Sequence, residues 1–358
     1  MGSRREGRRK VTTKESNIAT EVPPKPASGT PFGSVLSWLL RFPETSIAVV
    51  AIVIAIAFQI LNQAFLTTLV PVLLSSTALY GLTALGETML MITGEIDLSA
   101  AKIYSTCPFV TYYLTQAGIP YGISIILGLA FGALIGLVNG LITVRLGVPS
   151  LIATLGMLFF LNGVTLTVSH SEPVVTPHAE PINTFLGEGH QQPIGGLATY
   201  AGFIWLLLFM FILAIALRRT RFGMHTISVG SNLLAAREIG IRTDWIKIAN
   251  FMIMGFLAGL NGIIESVASG STDPSAGDNI LTLYAIAAAV IGGTSLFGGS
   301  GTVVGSVIGA FVIAALLNGL PLIGAPATVS DIIVGIAIVV AVVLNIYLTR
   351  LRVRRAKV

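Results

Sequence analysis

The chain has 358 residues, of which 54% are hydrophobic and 10% are charged, whereas an ordinary soluble domain is about 25% charged. This composition excludes a soluble enzyme and indicates a polytopic membrane protein. A net charge of +5 would favour a nucleic-acid partner in a soluble protein. Here the basic residues flank apolar segments, so we assign them to membrane orientation and expect no nucleic-acid partner.

Residues 1–42 are predicted to form a disordered cytoplasmic tail. Basic residues and prolines dominate this stretch, and a long polar segment separates them from the first apolar run. A secretory signal peptide would carry its apolar core directly after the basic residues. The tail also has too little apolar surface to fold by itself.

Ten apolar runs follow that can cross a bilayer as helices, near residues 45–62, 68–92, 98–116, 121–144, 149–168, 200–217, 247–268, 280–297, 302–320 and 328–348. They predict an all-α polytopic membrane domain over residues 43–348. Lys and Arg cluster before the first run, between the sixth and seventh, and after the tenth. Because basic loops face the cytoplasm, we predict that both termini are cytoplasmic. The same rule predicts an external loop at 169–199, a cytoplasmic segment at 218–246 and a cytoplasmic basic tail at 349–358.

The external loop is acidic and rich in histidine, with His170, Glu172, His178, Glu180, Glu188 and His190. Their spacing matches no helical pair of metal ligands. We therefore expect no metal site and interpret the loop as a solvated or partner-contacting surface.

Two stretches of the chain indicate an internal repeat. Asn139-Gly140 and Gly147-Val148-Pro149 resemble Asn318-Gly319 and Gly324-Ala325-Pro326 at nearly the same spacing. On the predicted topology the two copies cross the membrane in opposite directions. The sequence thus predicts about ten transmembrane helices in two inverted five-helix halves, a plan that recurs in transporters.

A glycine-rich stretch at residues 292–301 is predicted to break a helix on the cytoplasmic side. Irregular backbone at membrane depth is tolerated only where protein or a water-filled cavity satisfies it. The glycines spaced by four, Gly301, Gly305 and Gly309, predict a face for close helix packing.

A Walker A loop needs a lysine after a glycine, and no lysine of the chain follows one. We therefore expect no ATP site and no cofactor in this chain.

Two further motifs are polar. Residues 93–99, Thr-Gly-Glu-Ile-Asp-Leu-Ser, follow the second run, and Asp97 or Ser99 is suited to cap the next helix. A role in gating or subunit contact is the alternative.

In the cytoplasmic segment, Ser231 or Asn232 is predicted to start a short helix that Gly240 ends. Such a helix is too short to be stable alone, so it must dock on its own domain or on a partner.

Three motifs together carry a resemblance to a known family. They are Gly-x-Asn-x-x-Ala-Ala-x-x-x-Gly-Ile at 230–241, the stretch 285–303, and residues 93–99. In this order they resemble the membrane permease subunit of the ribose/xylose-type sugar ABC importers of bacteria, over about residues 45–348. Glu95 departs from the pattern, which usually has glycine there, and so does Ala100-Ala101.

This resemblance implies an assembly in the bacterial cytoplasmic (inner) membrane. It implies a homodimeric or heterodimeric permease core, two cytoplasmic ATPase subunits that hold ATP and Mg, and an external sugar-binding protein. In such importers a short cytoplasmic coupling helix contacts the ATPase. The matching residues here are Gly230, Ser231, Asn232, Ala235, Ala236, Arg237, Gly240 and Ile241.

Polar residues within or beside the apolar runs are candidates for a translocation path or gate, because intramembrane polar groups usually face a cavity or the bundle interior. The candidates are Glu87, Glu95, Asp97, Ser99, Asn162, Asn261, Glu265, Thr294 and Ser295. For Asn139 and Asn318, which lie in the repeat beside glycine, we favour helix-helix hydrogen bonding instead.

The sequence therefore predicts a translocation subunit that moves a monosaccharide or similar small polar solute by alternating access. It is expected not to be an enzyme, because a separate ATPase subunit supplies the energy. The alternative is an ion-coupled secondary transporter that uses Glu87 or Glu265, since inverted halves and broken helices fit that class as well. The coupling segment distinguishes the two, because a self-contained carrier does not need it.

Overall fold

The computed structural model describes residue 2 and residues 43–179, 181–187, 193–194, 197–198, 201–277 and 279–355. The predicted tail at 1–42 lies outside these ranges except for residue 2. Three residues of the predicted external loop, Glu180, Glu188 and His190, also lie outside them.

Fourteen helices and four two-residue strands occur in the described residues. Before the external loop these are α1 Pro43–Leu61, α2 Ala64–Thr68, α3 Val70–Ile92, α4 Ala100–Gln116, α5 Tyr121–Arg145 and α6 Ser150–Val168. The loop itself holds β1 Val174–Val175, α7 Ile182–Leu186, β2 Pro193–Ile194 and β3 Leu197–Ala198. The remainder holds α8 Ala201–Arg219, α9 Arg221–Ser231, α10 Leu233–Glu238, α11 Thr243–Ser269, β4 Ser271–Thr272, α12 Asn279–Ile291, α13 Val303–Leu322 and α14 Ala327–Arg355. β1 pairs antiparallel with β4, and β2 with β3. α14 continues through most of the segment predicted as a basic tail.

The chain is an all-α polytopic membrane protein. Fewer of its described helices than the ten predicted ones are long and apolar enough to cross a membrane. By length and apolar composition six described helices can cross a membrane: α1, α5, α6, α8, α11 and α13. Apolar stretches in α12 and α14, Ile280–Ile291 and Thr328–Val340, are shorter. α3 has 23 residues, of which 15 are buried. α3 tolerates polar residues such as Thr83 and Glu87 because protein surrounds it. These residues lower its mean hydropathy, so α3 is not among the six helices.

Two large hydrophobic clusters meet at α3. The first combines α3, α4, α5, α8 and α11 and contains Phe251 and Met254. The second combines α1, α12, α13 and part of α3 and contains Phe58 and Leu316. The clusters do not follow chain order, since α1 packs with the C-terminal helices, whereas α8 packs with α3.

Close helix contacts depend on glycine. A Cβ on Gly136 of α5 would lie 2.7 Å from the carbonyl carbon of Phe251 on α11. A Cβ on Gly309 of α13 would lie 2.9 Å from the carbonyl carbon of Ala288 on α12. Backbones that approach this closely gain packing contacts, which is how helices associate in lipid. The predicted packing face is thus confirmed at Gly309.

The two copies of the repeat form the same turn. Gly147 and Gly324 both adopt left-handed backbone, with φ of 71° and 84°. The carbonyl oxygens of Pro149 and Pro326 then each accept two backbone N–H groups in the first turn of the next helix. Glycine permits the positive φ, and proline has no N–H to leave unsatisfied at a helix start.

Three helix ends are tied together at Glu44, near the start of α1. Its carboxylate pairs with Arg218 at the end of α8. It also accepts a hydrogen bond of 2.8 Å from the hydroxyl of Thr302, whose oxygen caps α13 by accepting the N–H of Gly305. The starts of α1 and α13 and the end of α8 therefore lie on one side of the bundle.

Candidate functional site

The three sequence motifs, far apart in the chain, meet at one place. Gly299 N donates to Ile92 O over 2.9 Å. A Cβ on Gly230 would overlap the Ile92 carbonyl oxygen and lie 2.6 Å from Gly299 N. A Cβ on Gly298 would lie 3.0 Å from Gly94 N. We call this contact of residues 92–94, 230–231 and 298–299 the glycine junction.

The glycine junction connects the predicted coupling segment to the membrane helices. Ser231 Oγ donates to Ile227 O over 2.8 Å and to Gly299 O over 3.4 Å. α9 therefore ends against both the last residue of α3 and the loop after α12. The atoms nearest to Gly230 are backbone atoms of Ile92 and Gly299, so no flexible side chain separates α9 from these two segments at that point.

Residues 95–99 lead back into the bundle and are held by a buried polar network. Asp97 Oδ1 accepts from Ser99 N and Ser99 Oγ, over 2.8 and 2.6 Å. Asn139 Nδ2 donates to Asp97 Oδ2 over 3.2 Å and to Ser99 Oγ over 2.9 Å. Leu98 N donates to Thr154 Oγ1 over 3.0 Å. Neither Asp97 nor Ser99 caps α4 with its side chain as predicted, because Asp97 instead accepts from Ser99 N just before the helix begins. Asn139 joins this network and does not act only between helices.

α4 begins beside the first turn of α12, because Ala101 N donates to Thr282 Oγ1 over 2.9 Å. The other end of α12 lies at the glycine junction, where a Cβ on Gly301 would contact both Ile92 and Thr294. From Thr282 to the end of α12 at Ile291 is about 14 Å at 1.5 Å per residue. Residues 93–99 therefore return by about that distance into the bundle before α4 starts.

Glu95 occupies a favourable position despite its departure from the family pattern. Left-handed backbone falls on the preceding residue, Gly94, with φ of 85°, and not on Glu95. The Glu95 carboxylate pairs with the Lys247 ammonium on α11, and the two side chains are 13% and 16% exposed. Nothing in the sequence indicated this partner, which is 152 residues away.

Glu87 on α3 is fully buried, and neither carboxyl oxygen has a hydrogen-bond partner among the described residues. Thr294 Oγ1 is likewise buried without a partner there. Ser295 Oγ accepts from Phe297 N over 3.2 Å, within its own loop. Unsatisfied buried polar atoms are uncommon, and these belong to the elements that enclose the glycine junction.

The short helix predicted in the coupling segment has the predicted boundaries. Asn232 Oδ1 caps α10 by accepting Ala235 N over 3.1 Å. Gly240, with φ of 84°, ends it, and Ile241 N donates to Ala236 O over 3.0 Å, a Schellman closure. Ala236 is only 2% exposed and packs on its own domain. Of the proposed coupling residues it is therefore the one turned away from a partner.

The outward face of α10 and of the residues after it exposes three large apolar side chains beside the charged Arg237 and Glu238. Leu234 is 71% exposed, Ile239 75% and Trp245 57%. Arg237 is held along this face by hydrogen bonds to Thr243 and Asp244, over 3.0 and 3.3 Å. Exposed apolar residues grouped in this way mark an interaction surface.

The remaining candidates lie elsewhere. Asn261 on α11 donates to Leu79 O and Thr83 Oγ1, over 2.7 and 2.9 Å, so it connects α11 to α3. Asn318 donates to Ser76 Oγ over 3.2 Å, as a helix-helix contact should. Asn162 is half-buried on α6 and forms no side-chain hydrogen bond with another described residue.

Glu265, near the end of α11, lines a separate cleft with Tyr104, which sequence reasoning missed. The sequence feature that could have identified Tyr104 is its position about one helical turn after the 93–99 motif. Within the described ranges no group of three or more His, Cys, Asp or Glu residues is placed to hold a metal ion.

Comparison with known proteins finds permease components of transport systems in each case. The family described as "Branched-chain amino acid transport system / permease component" matches residues 69–342. The xylose/arabinose import permease protein XylH of Sulfolobus acidocaldarius is 38% identical over 293 residues, which cover 78% of each chain. The ribose import permease protein RbsC of Escherichia coli K12 is 33% identical over 77% of this chain and 84% of its own. The autoinducer 2 import system permease protein LsrC of Photorhabdus luminescens is 34% identical over 70% of this chain and 74% of its own. No solved structure matches the chain.

Proposed function

The chain belongs to the permease family of branched-chain amino acid transport systems, and from this membership we propose how it moves its substrate. It is the multi-pass permease subunit of an ABC importer for sugars, of the kind typically found in the inner membrane. Such subunits are not enzymes and carry no cofactor, because the ATPase is a separate chain. The ion-coupled carrier is therefore not retained as an alternative.

The proposed topology has ten crossings, formed by α1, α3, α4, α5, α6, α8, α11, α12, α13 and α14 over residues 43–348, with both termini cytoplasmic. Two observations support two inverted halves. The turns at Gly147 and Gly324 are alike, and the contacts of α11 with α5 and α4 correspond to those of α3 with α13 and α12. The segment 218–246 is then cytoplasmic and 169–199 external.

The proposed route for the energy of ATP runs through α10. Its exposed residues Leu234 and Ile239 dock on the ATPase, while buried Ala236 fixes α10 to the membrane domain. The observation that carries this proposal is the close fit of Gly230 against Ile92 and Gly299. A displacement of α10 and α9 by the ATPase is then passed to the ends of α3 and α12, because backbone packs directly on backbone at Gly230.

The proposed inner gate consists of the groups that these helix ends bring together. Asp97, Ser99 and Asn139 hold the returning segment, and Glu87 and Thr294 have buried oxygens without a described partner. Polar groups of this kind suit a passage that binds a sugar weakly and exchanges hydrogen bonds as it opens.

The proposed substrate is a monosaccharide or similar small polar solute. The relatives are named for xylose and arabinose, ribose, and autoinducer 2. The proposed partners are two ATPase subunits, a second permease subunit that forms a homodimer or a heterodimer with this one, and an external sugar-binding protein that selects the solute.

Paired aspartate variants test the coupling surface. Leu234→Asp is compared with Leu146→Asp in the turn between α5 and α6, since these leucines are 71% and 73% exposed. Both variants should insert in the membrane and keep the thermal stability of the wild type. Leu234→Asp should lose the ATPase on purification in mild detergent, whereas Leu146→Asp should retain it. A wild-type amount of ATPase bound to Leu234→Asp would contradict the assignment.

A further inference from the structure

A polar cleft lies between α4, the last turns of α11 and the segment that follows α11. Its volume is about 240 Å³, and its lining includes Tyr104, Ser105, Glu265, Ser266, Ser269 and Asp273. On the proposed topology the cleft opens to the outside.

The chemistry of the lining selects among solutes. Hydroxyl groups and two carboxylates face the space, and none of the described residues lining it is basic. Carboxylates accept hydrogen bonds strongly from hydroxyl groups. The carboxylate of an amino acid or a phosphate would meet the carboxylates of Glu265 and Asp273, and no basic side chain is among the described residues that line the cleft. The cleft therefore suits an uncharged polyol, even though the family is described by amino acid transport.

Tyr104 forms a fixed wall of the cleft. A Cβ on Gly262 would lie 2.7 Å from the Tyr104 carbonyl carbon, and a Cβ on Gly277 would lie 2.7 Å from Tyr104 Cδ1. The residue is only 6% exposed, yet its hydroxyl forms no hydrogen bond with another described residue. It thus combines a ring held by packing with an unused polar group at the edge of the cleft.

The external loop holds the opposite wall. Thr176 Oγ1 donates to Ser266 O over 2.7 Å, and Thr176 N donates to Gly270 O over 3.1 Å. β1 then pairs with β4, placing Val175 opposite Ser271. A partner that moves this loop therefore moves the wall of the cleft.

We propose that this outer cleft is the permease's own acceptance site for an uncharged sugar released on the external side. Glu265 and Asp273 accept hydrogen bonds from sugar hydroxyls, and the Tyr104 ring contacts the C–H face. The proposal rests on the proposed function. It adds where the solute binds on the external side and that the solute is uncharged.

The test uses the complete importer, with ATPase and sugar-binding protein, in proteoliposomes. Uptake of D-xylose and D-ribose is measured per ATP hydrolysed for Glu265→Gln, Asp273→Asn and the control Glu172→Gln on the exposed external loop. The first two variants should lower sugar uptake per ATP about tenfold, as expected for a lost hydrogen bond to a charged group. The control should match the wild type. If all three variants equal the wild type, the cleft is not on the path.

Cysteine labelling avoids dependence on the folding of those variants. Cys107 is buried and is the single cysteine of the chain, so an introduced cysteine is labelled selectively. A membrane-impermeant maleimide applied outside should block uptake by Ser269→Cys and leave Glu172→Cys active. Full uptake by labelled Ser269→Cys would overturn the proposal. A wild-type importer that takes up neither sugar with ATP would instead refute the proposed function.

Discussion

Gly230→Ala is the most direct perturbation of the glycine junction. The added methyl group would overlap the Ile92 carbonyl oxygen and lie 2.6 Å from Gly299 N, so the Gly299–Ile92 hydrogen bond of 2.9 Å must break or lengthen. Loss of that bond costs about 1 kcal/mol, and overpacking adds about 1–3 kcal/mol. Alanine returns about 1 kcal/mol of helix propensity in α9. The expected net loss is about 1–3 kcal/mol.

The matched control is Gly156→Ala on α6, where a Cβ would meet no atom within 4 Å. It gains the same helix propensity without overlap, so it should be neutral or slightly stabilising. Thermal unfolding in detergent, followed by near-ultraviolet circular dichroism, measures both variants. Gly230→Ala should melt several degrees below Gly156→Ala. Equal melting temperatures would refute the tight contact and with it the mechanical link from α10 to α3.

Three further predictions concern the groups around this junction. Glu95→Gln leaves the partly buried Lys247 without its charge partner and should lower the free energy of unfolding by about 1–3 kcal/mol in thermal melts. Adding Lys247→Met should restore most of this loss, and no recovery would contradict the pairing. Thr302→Val removes the cap of α13 and should cost about 1–2 kcal/mol, whereas Thr302→Ser should stay near wild type; equal melts would refute the cap. Glu87→Gln should retain ATP-driven uptake when the proton gradient is collapsed, and strict dependence on that gradient would favour a carrier.

Local structure was predictable from the sequence where one short stretch determines it. Asn232 and Gly240 bound α10 as expected, because a side-chain cap and a left-handed glycine act within one helical turn. The repeat was visible in the same way, and its two copies adopt the same left-handed glycine, Gly147 after α5 and Gly324 after α13. In each case the residues involved are neighbours in the chain.

Contacts between distant segments were not predictable from one sequence. The motifs at 93–99, 230–241 and 292–301 each indicated a break or a short helix, and nothing in them showed that they touch. The direction of Ala236 depends on how α10 docks, and the ion pair of Glu95 with Lys247 depends on how α3 and α11 cross. The polar content of α3 is explained only by its burial within the bundle.

This permease imports sugar with energy from a separate ATPase. The complete importer, purified with its ATPase and reconstituted in liposomes with the sugar-binding protein, tests this by uptake of labelled D-xylose and D-ribose. Uptake of at least one sugar should require hydrolysable ATP and persist without any ion gradient. Uptake that a proton or sodium gradient drives in the absence of ATP would contradict ATP-driven import.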